Sequence, residues 1–322
     1  MLAALIESMG QPPVVRQLDP PRPSPGQALV QVLAAALNPV DLWIASGRHH
    51  SGVPTVPYVP GSEGVGRVME GPHPLPGTLV RFQPARGAGG TFAELALAES
   101  ATCLSVPNGL DAAVAAALGV AGMAAWIALV DKAQLGAGER ILVLGATGAV
   151  GRLAVQLARI RGASRIVAAG RDQGALARAR ELGANATVAI AEQDEEQLCQ
   201  QFMAAAEGEL DLVFDPLWGL PLQAALRGCR QGARIVHLGQ SAGARATLDS
   251  GLIRGRQLRL LGHSSPATSW ETRAHAYVAL ADLVGSGALL VDTVELPLSQ
   301  VASAFARQAT SPHAKLVLIP GG

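Results

Sequence analysis

The sequence predicts an α/β protein of two domains, a small, partly open β-barrel and a doubly wound parallel sheet. Three observations predict it. The chain has 322 residues, more than one ordinary hydrophobic core organises. Its first hundred residues break into many short strand-like pieces set apart by Pro and Gly clusters, the pattern of a small barrel. From Arg140 onward, short apolar runs alternate with segments of helical periodicity, which is the order of a parallel sheet covered by helices.

Composition narrows the function. The chain is 49% hydrophobic and 16% charged, with a formal net charge of zero, so it lacks the basic surface that nucleic acid or an acidic membrane requires. Cys103, Cys199 and Cys229 are odd in number and widely separated, the usage expected of reduced thiols in a cytoplasmic protein. The start, Met1 to Glu7, has no basic region ahead of its apolar residues, and no signal peptide is expected there. Ala112 to Val130 is uncharged over 19 residues, but its alanines and glycines bury little surface, so buried helices between the domains are expected rather than a membrane span.

In the first domain the expected strands are Leu2–Ser8, Pro13–Leu18, Ala28–Ala35, Gly64–Glu70, Thr78–Gln83, Thr91–Ala98 and Ala101–Val106. A short helix interrupts them, with Asn38 as N-cap, Pro39 at its first position and Gly47 as terminator. The second domain opens on the stretch that organises the chain. Arg140–Leu144 reads as a doubly buried strand, and Gly145, Gly148 and Gly151 follow at once. Val150, Leu153, Ala154, Leu157 and Ala158 then lie on one face of a helix, and Arg165–Ala169 reads as a second strand. Strand, glycine turn, helix and strand together make a dinucleotide-binding unit. Residues Gly145, Ala146, Thr147, Gly148, Ala149, Val150 and Gly151 are expected to cradle a pyrophosphate on the N–H groups of the helix start.

The end of the second strand, Gly170-Arg171-Asp172, bears on which cofactor binds. An acid roughly 20 residues beyond the glycines selects NADH. Here Gly170 leaves room, and Arg171 offers a planar fork of donors to a 2′-phosphate, which favours NADPH. The alternative is that Arg171 is solvated and Asp172 takes the ribose. Further expected elements are helices at Leu176–Leu182, Glu195–Ala206 and Leu220–Arg227, and strands at Thr187–Ile190, Leu210–Phe214, Arg234–Leu238 and Gln257–Leu261. Leu238, Gly239, Gln240 and Ser241, and Gly262, His263 and Ser264, lie at the carboxyl ends of the last two strands, where such sheets bind ligands. The tail, with a helix at Trp270–Val284, a strand near Thr293–Leu296, a helix at Ser299–Gln308 and a strand at Lys315–Ile319, is expected to return to the first domain.

Seven segments taken together carry a family resemblance. They are Asn38-Pro39-Val40-Asp41, Pro60–Gly66, Gly90–Glu94, Gly145–Gly151, Glu181–Ala184, Asp211–Asp215 and Arg234–Gly239. In this order the chain resembles the zinc-free quinone oxidoreductases (zeta-crystallin-like) of the medium-chain dehydrogenase/reductases. The resemblance implies a GroES-like catalytic domain at 1–112 and 266–322, a Rossmann NADPH-binding domain at 113–265, an active site in the cleft between them, and a homodimer. Zinc-dependent relatives place Cys at Asn38 and His at Ser62, and no Cys or His stands near Val120 for the third ligand position. His49-His50 is an adjacent pair, expected to be a solvated loop.

Without a metal nothing lowers the pKa of an alcohol, so reduction of a quinone or an α,β-unsaturated carbonyl is the expected reaction. Asn38, Trp43 and Asp41 are the expected catalytic residues. The Asn38 amide is a donor to the developing oxyanion, Trp43 an indole donor, a wall or a core-packing residue where relatives have tyrosine, and Asp41 a brace for the Asn38 helix. Trp43, Tyr58 and Trp270, with the His49–Pro57 loop, are expected to line the substrate pocket. Ala175 falls where relatives carry a lysine for the 2′-phosphate, which leaves Arg171 alone. A short-chain dehydrogenase needs Lys four residues after Tyr, and Tyr58 and Tyr277 are followed there by Ser62 and Ala281. Two alternatives stay open: an NADPH-binding sensor or structural protein with little turnover, and an alcohol dehydrogenase-like enzyme of the same superfamily.

Overall fold

The computed structural model describes residues 1–48, 52, 54–190 and 194–321. The His49–His50 pair and part of the His49–Pro57 loop lie outside the described residues. Two compact units emerge, Met1–Val120 with Val291–Gly322, and Ala121–Leu290.

The first unit is built on one long strand, Gln27–Ala36. One edge pairs with Gly64–Glu70. The other edge is divided, Leu95–Glu99 taking its first half and Lys315–Ile319 its last. Leu79–Phe82, Leu104–Ser105 and Thr293–Pro297 complete a seven-stranded sheet, and Leu2–Leu5 with Val14–Gln17 forms a separate antiparallel pair. The side chains of the long strand alternate as a half-buried strand requires: Ala28, Val30 and Val32 enter a core with Phe82, Phe92, Phe305 and Leu318. A register shift between Val32 and Ala34 then reverses the alternation, so that Ala34 and Ala36 join Val65 on the opposite face, against the start of a helix at Ala112. That helix, 112–132, is long and apolar enough to cross a membrane by composition alone, but 78% of its apolar window is buried inside the protein.

The second unit holds six parallel strands: β1 (Arg140–Leu144), β2 (Arg165–Gly170), β3 (Ala186–Ala189), β4 (Leu210–Asp215), β5 (Cys229–His237) and β6 (Arg259–Gly262). Their order is β3-β2-β1-β4-β5-β6, the doubly wound arrangement, with the chain reversing direction across the sheet between β1 and β4. Helix α1 (Ala149–Ile160) follows β1 and buries Leu153, Ala154, Val155, Leu157 and Ala158. Helix α2 (Gln173–Glu181) follows β2.

The unit boundaries differ from those expected at 112 and 266. The helix Trp270–Gly285 stays with the second unit instead of returning to the first. Its neighbour is the stretch from Met123 to Lys132, where the Trp126 and His275 rings meet edge to face at 6.4 Å. Beyond it, the Gln156 amide pins the backbone of Leu290 through both its N–H (2.8 Å) and its C=O (2.9 Å). A short helix at Ser250–Gly255, not expected from the sequence, buries none of its residues and therefore has no periodic apolar signature.

Candidate active site

In the second unit the glycine turn is shaped by close approach. Gly145 has φ +63°, in the left-handed region that glycine enters without strain. A Cβ on Gly151 would overlap the Gly145 carbonyl, so only glycine lets α1 sit this close to β1. Around Gly148 the nearest atom to such a Cβ is 3.6 Å away, so this position is open. The turn's N–H groups divide into two sets. Ala146 donates to Ala169 O (2.9 Å) and Gly148 to Gly145 O (3.1 Å), so neither is available to a phosphate. Thr147, Ala149, Val150 and Gly151 have no acceptor among the described residues, and the N-cap Gly148 supplies no side chain to them.

At the end of β2 the structure separates the roles of three residues. A Cβ on Gly170 would stand 2.6 Å from the Thr147 methyl, so the turn's own packing accounts for this glycine. Asp172 Oδ1 accepts from Ala175 N at 2.7 Å and caps α2. Arg171 is exposed, and its guanidinium has no partner among the described residues.

The remaining candidates lie at the carboxyl ends of β4, β5 and β6. Leu238 N donates to Asp215 O and Ser241 N to Pro216 O, whereas the Gly239 and Gln240 N–H groups have no acceptor among the described residues. His263 N is likewise committed, to His237 O at 2.8 Å. Gly262 gives its carbonyl to Lys132 Nζ at 2.7 Å, and Ser264 gives its own to Ala267 N and the Thr268 hydroxyl. Sequence reasoning missed the cluster beside them. Asp215, fully buried, accepts from Leu217 N (3.0 Å), Trp218 N (2.8 Å) and His237 Nδ1 (2.9 Å). Trp218 stacks on His237 with ring centroids 4.2 Å apart. The available signal was an acid at the end of a buried strand, Leu210–Asp215, where a charge is costly unless bonded.

In the first unit two of the three expected catalytic residues, Asn38 and Asp41, fall into one buried polar network. Asn38 caps the helix Pro39–Ala45, and Asp41 Oδ2 reaches back to Asn38 N at 2.8 Å. The Asn38 amide is fully used: its Nδ2 donates to Ala36 O (3.1 Å) and Glu63 Oε1 (2.9 Å), and its Oδ1 accepts from Lys315 Nζ. With both amide hydrogens engaged, the side chain has none to give an oxyanion. Glu63 also accepts from Arg81 Nη2 (3.2 Å) and Val120 N (2.6 Å), and Lys315 Nζ lies 3.8 Å from it. Ser62, partly exposed, donates its hydroxyl to Asp41 Oδ1. Burial pushes the Asp41 carboxyl up to about 6, against the lowering pull of Ser62, the Asn38 N–H and Lys315. Burial also lowers the Lys315 ammonium, while Glu63 and Asp41 hold it up.

Trp43 is 43% exposed, which removes core packing as its role. Tyr58 belongs to the same unit, and its buried hydroxyl has no partner among the described residues. Burial and the Asp41 charge push it up to about 12. Trp270 lies in the second unit, with Arg273 over its ring at 5.6 Å.

The alcohol dehydrogenase GroES-like domain family matches residues 24–137, and the zinc-binding dehydrogenase family matches residues 149–280. The chain belongs to the medium-chain dehydrogenase/reductases, with a GroES-like first unit and a Rossmann-type second one. Among curated proteins it is similar to quinone oxidoreductases: it is 36% identical to that of Pongo abelii over 183 residues, 54% of each chain. The match thus spans about half the length of these relatives. Over their whole lengths, two solved structures share the fold. An NAD-dependent alcohol dehydrogenase is 27% identical with a TM-score of 0.87, all of both chains being covered. Escherichia coli quinone oxidoreductase complexed with NADPH is 21% identical with a TM-score of 0.88, covering 99% of this chain and 100% of that one.

The zinc in one family's name does not fit the residues present. Glu63 is already held by two cations and two N–H donors, and its neighbours Asn38 and Ser62 are weak ligands for zinc. Among the described residues no three His, Cys, Asp or Glu side chains are grouped to hold a metal ion.

Proposed function

We propose that this protein is a zinc-independent reductase that transfers hydride from NADPH to a quinone or an α,β-unsaturated carbonyl. The observation that carries the reading is the set of N–H groups at Thr147 and Ala149–Gly151, together with the guanidinium of Arg171, none of which has a partner among the described residues. The first hold a pyrophosphate at a helix start. The second pairs with a 2′-phosphate, while Asp172 is occupied as a cap. The NADPH complex of the E. coli enzyme of the same fold supports the choice of cofactor.

When bound, the reduced nicotinamide supplies hydride to an electron-poor carbon of the acceptor. The conjugated oxygen then gathers negative charge and needs a hydrogen bond and a proton. Asn38 has no amide hydrogen free for this, so the role passes to Ser62 and Asp41. Protonated Asp41 donates to Ser62 Oγ, whose own hydrogen is then released toward the acceptor oxygen. The Ser62 proton moves to that oxygen, the Asp41 proton replaces it, and solvent returns a proton to Asp41. A carboxyl titrating at about 6 suits this exchange near neutral pH. The Trp43 indole offers an open wall for a planar acceptor.

The test is consumption of NADPH against a panel of simple quinones and enones, with NADH in parallel and metal content measured on the same preparation. Turnover with NADPH by zinc-free protein is expected. Tight NADPH binding without turnover on any acceptor would favour the binding-protein alternative. Absence of NADPH binding would overturn the reading altogether.

A further inference from the structure

Two histidines stand side by side at the carboxyl edge of the parallel sheet, His237 closing β5 and His263 just past β6. The backbone links them, His263 N donating to His237 O at 2.8 Å. Their rings are treated differently. His237 is tied to the buried Asp215 carboxylate and stacked on Trp218. His263 is 9% exposed, yet neither Nδ1 nor Nε2 has a hydrogen-bond partner among the described residues. A buried ring with both nitrogens unpaired is costly, and such a group calls for a ligand or a specific role.

The state of that ring is defined. Burial and the Lys132 ammonium, itself fixed on Gly262 O at 2.7 Å, push the imidazole down to about 4. Near neutral pH it is uncharged, with one N–H donor and one acceptor nitrogen. It therefore suits an uncharged group that both donates and accepts.

The topology limits which group that is. Phosphate-binding N–H groups follow β1, and Arg171 follows β2, so the adenosine half of a dinucleotide extends over β2 and β3. The other half extends over β4, β5 and β6. At about 4.8 Å per strand, β6 lies roughly 14 Å from β1, toward the ring end of that half and beyond its ribose. We propose that the His263 imidazole is the side-chain hydrogen-bond partner of the nicotinamide carboxamide. The assignment rests on the NADPH reading above and adds a residue that recognises the reactive end of the cofactor.

The experiment compares wild type, His263→Ala and His263→Gln in equilibrium binding of three probes: NADPH, its 3-acetylpyridine analogue, in which a methyl replaces the amide nitrogen, and 2′,5′-ADP, which lacks the nicotinamide half. His263→Ala is expected to weaken NADPH on the order of tenfold, as for one lost hydrogen bond, and to leave 2′,5′-ADP unchanged. Wild type should prefer NADPH to the analogue, His263→Ala should not, and His263→Gln should restore part of the preference. Unchanged NADPH affinity in His263→Ala would overturn the proposal. So would equal losses for NADPH and 2′,5′-ADP, which indicate damage to the sheet edge, or an undiminished preference for NADPH over the analogue. Failure of wild type to bind any probe would sink the NADPH reading first, before any variant is compared.

Discussion

Replacing Asp41 by asparagine should make the protein more stable at neutral pH and not at acid pH. In the folded chain the Asp41 carboxyl titrates at about 6, against a usual value of 3.8. A folded state that holds its proton more tightly than the unfolded chain is favoured while that proton is present. The contribution is therefore complete below pH 3.8 and is lost as pH rises through 6. About two pKa units at ~1.4 kcal/mol each make that loss roughly 3 kcal/mol at pH 7.5. The groups facing the carboxyl are Ser62, the Asn38 N–H, Lys315, Glu63 and Tyr58. The substituted amide would keep an acceptor for the Asn38 N–H and carry no buried charge, but its new N–H₂ must be taken up by the Ser62 oxygen. Allowing about 1 kcal/mol for an imperfect bond there, Asp41→Asn should gain ~1–2 kcal/mol at pH 7.5 and lose up to ~1 kcal/mol at pH 4. Urea unfolding of both proteins from pH 4 to 8 measures it. Stability curves that run parallel across that range would refute the argument, because they would mean that Asp41 titrates alike in the folded and unfolded chains.

Four other substitutions probe separate parts of the structure. Arg171→Ala should weaken NADPH by about 1.5–3 kcal/mol and leave NADH nearly unchanged, as read by equilibrium binding of each cofactor. Equal losses would assign Arg171 a structural role. Lys315→Met removes one cation from the buried network and leaves Glu63 and Asp41 short of compensation, so a loss of about 3–5 kcal/mol in denaturant unfolding at pH 7.5 is expected. The same variant should recover some stability as pH falls and Asp41 takes up a proton. Gly151→Ala forces a methyl onto the Gly145 carbonyl, costing about 1–3 kcal/mol and abolishing NADPH binding, whereas Gly148→Ala, where space is open, should fold normally. Normal NADPH binding by Gly151→Ala would show that α1 can move away from β1.

The two units were legible because each announces itself locally. Short strands set apart by Pro and Gly clusters, and a glycine turn between Leu144 and Val150, need no distant partner to be recognised. Arg171 was read in the same local way, from the strand that ends beside it, and its pairing with a 2′-phosphate is part of the proposal. The Asn38 amide was not. Its availability is decided by Lys315, 277 positions away, and by Glu63, so the hydrogens that sequence reasoning assigned to a ligand are spent inside the protein. Periodicity also showed that Trp270–Gly285 is a helix, but an apolar face does not say which of two cores it joins. Its allegiance depends on Trp126 and on the tether from Gln156 to Leu290. The ring of His263 has no hydrogen-bond partner among the described residues, and a linear sequence carries no record of what does not stand next to a side chain.

The chain contains only two lysines among 25 basic residues, and they sit in opposite circumstances. Lys132 is exposed, whereas Lys315 is 3% exposed in the charged interior of the first unit. An acylating reagent can reach the second ammonium only when that interior opens. The rate at which Lys315 is modified, with Lys132 as an internal standard on the same molecule, therefore reads the opening of the GroES-like unit by mass spectrometry, without any introduced label.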